Sequence, residues 1–143
     1  MRSLTGLVAL LFVLTLTAAG FAGSALPDLK GTWIMKCAGI SHEKPGKSPP
    51  PKLHTEKTGV HDFEMLLVID QQDGFRFSGY RESSRKKETV SGVIGFDNQT
   101  VYMTGDGGMD IARLVSPDKI ESIYLRVTEH HSIAARAIIS RKR

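Results

Sequence analysis

The sequence holds one cysteine, one tryptophan and 7% aromatic residues, and its one long apolar run lies at the N-terminus. A lone Cys37 excludes an internal disulfide, so packing and strand pairing must hold the fold together. Whether that thiol is buried or links two chains stays open at this level. No Cys/His spacing matches a zinc site. His54 and His61 flank the end of a polar stretch, and the adjacent His130 and His131 point apart on an extended backbone, so no metal site is assigned. No Gly-x-Ser-x-Gly elbow is present, and Asp73, Asp97, Asp106 and Asp118 sit in turns, where aspartates bond their own backbone. Gly105 to Gly108 is glycine-rich, but no helix follows to present a phosphate-binding terminus, and no cofactor is assigned. No nucleophile–base pair is readable, which argues against an enzyme. The excess of 19 Lys+Arg over 15 Asp+Glu is mild, and aromatics do not interleave with the basic clusters, which argues against nucleic acid as a partner.

What is present begins with Arg2, followed by an apolar stretch from Leu4 to Leu16 and small residues at Ala22, Ser24 and Ala25. This order matches a removable secretion signal over residues 1–24. The run is shorter than the roughly 20 apolar residues of a membrane span, so no span is expected. The remainder, 25–143, has the size of a single domain, and the expected location is secreted or periplasmic.

In that remainder, short alternating segments are separated by turn chemistry. Strands are expected over about 31–40, 63–71, 75–81, 89–96, 100–104, 109–116, 120–128 and 132–140. Asp73-Gly74, Asp97-Asn98, Asp106-Gly107 and Pro117-Asp118 supply tight turns between them. A long Pro-rich loop is expected at about 41–61, with Pro45 and Pro49 to Pro51 removing backbone donors. Segments this close together predict an all-β fold, an eight-stranded antiparallel up-and-down meander. Closing it into a barrel removes both exposed edges, and an open two-sheet sandwich is the alternative. Gly79, Gly92 and Gly95 inside strands suit the bends of such a barrel.

The segment Leu29-Lys30-Gly31-Thr32-Trp33 resembles the opening of calycin-superfamily barrels, such as lipocalins, fatty-acid-binding proteins and avidins. The avidin pattern is nearest. Its Gly-Thr-Trp, apolar strand, Asp-Gly turn and Gly-Thr-Tyr-Glu-Ser resemble Gly31-Thr32-Trp33, Phe63 to Ile69, Asp73-Gly74 and Ser78 to Ser83. Biotin-binding residues are not matched: this chain has only Trp33 where avidins have several tryptophans, and the Gly79-Tyr80 spacing is one residue short, moving Tyr80 to the other face. The resemblance implies that Trp33 closes one barrel end under a last-strand Arg. Arg136 is the candidate, with Arg113 or Arg126 as substitutes.

The functional expectation is an exported, non-enzymatic binding protein holding a small apolar ligand. Its wall would be Trp33, Met35, Phe63, Met65, Phe75, Phe77 and Tyr124, with the long loop as a lid, unless the same side chains fill the interior. The alternative is a protein-interaction module, such as a secreted-enzyme inhibitor or envelope assembly factor acting through its loops. A homodimer burying the outer face at Leu66 and Val68 also remains open.

Overall fold

A computed structural model describes residues 25–45, 52–55 and 58–143; the segment read as a secretion signal lies outside the described residues. The strands are β1 (Gly31–Glu43), β2 (Gly59–Asp73), β3 (Arg76–Glu82), β4 (Lys87–Ile94), β5 (Thr100–Gly105), β6 (Gly108–Ser116), β7 (Lys119–Val127) and β8 (His131–Arg141). Each pairs antiparallel with the next, and β1 pairs with β8, closing the barrel. The molecule is all-β, as the alternation predicts, and the open sandwich is excluded. Among the described residues, no helix is long and apolar enough to cross a membrane.

The long connection is shorter than the 41–61 expected, because strand pairing continues into its polar flanks. Ser41, His42 and Glu43 pair with Ile133, Ser132 and His131, and Ser41 also pairs with Gly59. Backbone hydrogen bonding needs no apolar side chain, so the ladder runs past the point where hydrophobic alternation fades.

Alternation sorts each strand into an inner and an outer face. Inner positions are buried along β1 (Trp33, Met35, Cys37, Ser41) and β3 (Phe77, Arg81), while Tyr80 turns outward beneath the Lys87 ammonium, 3.7 Å from its ring centroid. The interior divides lengthwise. One end is apolar: Leu29, Trp33, Leu67, Ile69, Phe77, Ile94, Val101, Ile120 and Ile139 are all buried there. The other carries the buried polar residues Ser41, His61, Arg81, Glu88, Asp110, Ser122, Arg126, His130 and His131.

Trp33 plugs the apolar end. It is fully buried, its indole N–H donates to the Leu29 carbonyl (3.0 Å), and Gln72 ties the preceding segment down through Leu29 N–H (2.8 Å) and the Pro27 carbonyl (2.8 Å). The last-strand arginine over the indole is Arg141, its guanidinium carbon 4.1 Å from the ring centroid. Arg136 is not that residue. β8 places Ala135, Ala137 and Ile139 inward, so Arg136 projects into solvent opposite Ala38 and Ile123. Arg141 lies directly opposite Trp33 in the β1–β8 register and reaches over the barrel end. It donates to the carbonyls of Lys30 (2.7 Å), Asp28 (2.9 Å) and Pro117 (3.0 Å), and to the Asp118 carboxylate (3.0 Å).

Two strand glycines accommodate close approach. A Cβ at Gly92 would stand 2.2 Å from the Phe77 ring, its direct cross-strand neighbour. One at Gly79 would stand 1.8 Å from the Val68 carbonyl oxygen, beside the bulge where β2 carries the extra residue Asp70. Bulge and glycine together let the barrel wall turn sharply.

Candidate polar-end cavity

Odd-numbered strands run from the apolar end toward the polar end, and even-numbered strands return. The inner positions near the finish of β3 and β7 and the start of β4 and β6 therefore converge: Arg81, Tyr124 and Arg126, Glu88, and Asp110. Arg81, 1% exposed, is the centre of this group. Its guanidinium pairs with Asp110, stands 3.6 Å from Glu88, and lies over the Tyr124 ring at 5.6 Å. Asp110 also accepts from Ser122 Oγ (2.7 Å), and Glu88 accepts from Lys86 Nζ (2.6 Å).

Burial governs the acid–base state of these groups. It pushes the Asp110 carboxyl up, against the opposing pull of Arg81 and Ser122. It also pushes Glu88 up, but there the hydrogen bonds and charges of His54 and Lys86 win and bring the carboxyl down to about 2. The Tyr124 phenol is raised by burial and by Glu88, so it stays protonated, a donor. Cys37, buried on the same wall, is pushed up to about 12, chiefly by burial and then by Asp110. A thiol held protonated by burial is in its weakly reactive form. Among the described residues, no group of His, Cys, Asp and Glu is placed to hold a metal ion.

The described part of the long connection lies across this end. His54 Nδ1 and Ser83 Oγ share a hydrogen bond of 2.8 Å, Arg85 Nε donates to the Leu53 carbonyl (3.4 Å), and His54 Nε2 stands 3.6 Å from Glu88. Leu53, His54 and Thr55 thereby roof a cavity of about 50 Å³. Its floor is Met35, Met65 and Phe63, and its polar wall is Arg81, Glu88, Asp110, Tyr124 and Arg126. Drug-sized ligands occupy roughly 300–1,000 Å³, whereas a water needs on the order of 10–15 Å³. With the roof down there is space for a few waters or one very small guest.

Of the expected wall residues, Met35, Phe63, Met65 and Tyr124 line this cavity. Trp33 and Phe77 lie in the packed apolar half, away from it. Phe75 is outside the barrel altogether: it occupies the turn between β2 and β3 and is half exposed, because β3 starts one residue later than the alternation suggested. Among the described residues the apolar half of the interior is packed, and the enclosed space described above lies at the polar end. Sequence reading missed Arg81, Glu88 and Asp110 and placed Arg126 only as a substitute over Trp33, although strand period alone puts Arg81 on the face of Phe77 and Arg126 on that of Tyr124. Comparison with protein-family models, with curated proteins and with solved structures finds no match to this chain.

Proposed function

We propose that the protein is an exported, non-enzymatic binding barrel of calycin-like architecture that takes a small molecule at its polar end. The observation that carries this reading is a cavity with an apolar floor and buried, incompletely bonded nitrogens in its wall, roofed by a loop segment rather than by a strand. Buried donors without acceptors cost roughly 1–3 kcal/mol each, so a wall that keeps them is suited to a partner supplying acceptors. The His54 contacts are made by side chains alone, so lifting residues 52–55 enlarges the cavity without breaking a strand ladder. Such loop motions suit the low-stability elements that gate binding sites. The Leu29 to Trp33 opening and the Trp33–Arg141 stack support kinship with the calycins. The Arg2 to Ala25 pattern supports a secreted or periplasmic location.

Methionine-methyl NMR of residues 25–143 tests the reading. Titration with short amphiphilic molecules is expected to shift the Met35 and Met65 methyls while leaving Met109, exposed on the outside, unmoved. Shifts confined to Met109, or none at all, overturn it.

A second reading, interaction through a surface, is favoured by one observation. Val93, Tyr102, Ile111 and Ile123 are directly opposite one another across β4 to β7, all on the outer face and all exposed. The occupant this row fits is a second copy of the chain, since an antiparallel apolar row is complementary to itself under a two-fold axis. Leu66 and Val68, the patch expected from sequence, are only half exposed and form the lesser apolar surface.

A further inference from the structure

The geometry points to a guest that carries a planar oxyanion, a carboxylate, received by Arg126 beneath the loop of residues 52–55; this rests on the binding-barrel reading and names the chemistry of the same site. Charge balance is the first support. Of the cations at the polar end, Arg81 and Lys86 are matched by Glu88, Asp110 and the exposed Asp106, and Arg126 is not. Both buried carboxylates are already engaged, Asp110 by Arg81 and Ser122, and Glu88 by Lys86, Arg81 and His54. The exposed Asp106 meets only Lys86 (3.2 Å). Arg126 is 7% exposed, and no carboxylate among the described residues pairs with it.

The second support is independent of charge. Buried nitrogens that lack a hydrogen-bond partner include Arg126 Nε and Arg81 Nε, and both side chains line this cavity. A guanidinium presents its donors in a flat fork that fits a carboxylate edge. The Tyr124 hydroxyl lies beside it, pressed so close to Gly108 that a Cβ there would stand 2.1 Å away. On β1 and β2 the lining is Met35, Met65 and Phe63, with His61 and the Cys37 thiol beside them, so the guest's other end is largely apolar or absent. About 50 Å³ admits a free oxyanion of a few atoms with the roof in place; a longer chain displaces Leu53.

The test follows the Met35 and Met65 methyls of residues 25–143 at neutral pH during titration with acetate, hexanoate and hexan-1-ol, with chloride as the ionic-strength control. Hexanoate, acetate or both are expected to bind at least about tenfold more tightly than hexan-1-ol, as a charge-assisted pair with a buried guanidinium requires. Acetate as tight as hexanoate identifies a free small oxyanion; hexanoate alone identifies a carboxylate on an apolar chain. Arg126→Met should erase the preference for the acids over hexan-1-ol. If that variant does not fold, as judged by circular dichroism, Arg126→Lys is expected to weaken acid binding several-fold by losing the fork. Hexan-1-ol binding as tightly as hexanoate, or a preference that survives Arg126→Met, overturns the carboxylate assignment alone. Silence of both methyls toward every probe overturns the binding-barrel reading and this assignment with it.

Discussion

Arg141 does more for the fold than its position near the chain's end suggests. Its guanidinium covers the Trp33 ring and holds the 28–30 segment and the turn between β6 and β7 through four hydrogen bonds. A cation–π contact contributes about 0.5–2 kcal/mol and each net hydrogen bond about 0.5–1.5 kcal/mol, with partial exposure reducing both. Arg141→Met is therefore expected to cost about 2–4 kcal/mol in urea unfolding, in the range for breaking a hydrogen-bonded network. Arg136→Met, on the outer face, should change stability by less than about 0.5 kcal/mol. Equal losses for the two would remove Arg141 from this role. The sequence exposed the need for such a residue but not its identity. The choice depends on where the β1–β8 register places the barrel end, and the apolar alternation of Ile133 to Ile139 already turned Arg136 outward.

Among the elements, β3, β4 and β6 carry both the apolar core and the charged end on the same inner faces. Strand boundaries were legible to within a few residues because turn chemistry at Gly74, Asn98 and Gly107 is local; all three hold positive φ, from 56° to 83°. The charged inner positions were only partly legible: strand period puts Arg81 on the face of Phe77, but Glu88 precedes the expected start of β4 and Asp110 reads as a solvent residue until closure brings the strands together. That assembly has a pH signature. Glu88 ionises near 2 in the fold against 4.5 ordinarily, so its contribution is present above about 4.5 and is lost as pH falls toward 2. The corresponding contribution is roughly 3 kcal/mol. Asp110 acts with the opposite sign, since its raised carboxyl is a burden when ionised that acid relieves. Asp97, held to about 2 mainly by its hydrogen bond to the Thr100 hydroxyl and exposed in the turn between β4 and β5, adds to the loss in the same window. Urea midpoints measured from pH 5 to 2 should fall in the native chain and fall less steeply in Glu88→Gln. Parallel curves would show that Glu88 is not held as described.

On the scale of the whole molecule, closure leaves no free edge among the described strands, so association by strand addition is closed to them and the outer wall offers side chains instead. The Val93–Tyr102–Ile111–Ile123 row, extended by Met109 and Leu125, is a contiguous exposed apolar stretch across β4 to β7. Sedimentation velocity is expected to show a concentration-dependent dimer that Ile111→Lys returns to monomer, with the circular-dichroism spectrum unchanged. A native chain that stays monomeric up to millimolar concentration would leave the row without a partner of its own kind. The closed meander could be foreseen because each strand bonds its sequence neighbour, and only the β1–β8 seam had to be inferred from the economy of removing edges.

Cys37 sits inside that closed wall with its proton held to about pH 12. While the barrel is intact the thiol cannot cross-link two molecules, even in an oxidising medium. Alkylation must wait for the wall or its roof to part, and its rate becomes an internal clock for that opening. A guest seated under residues 52–55 would slow the clock, so the alkylation rate of Cys37 reports occupancy from inside the protein.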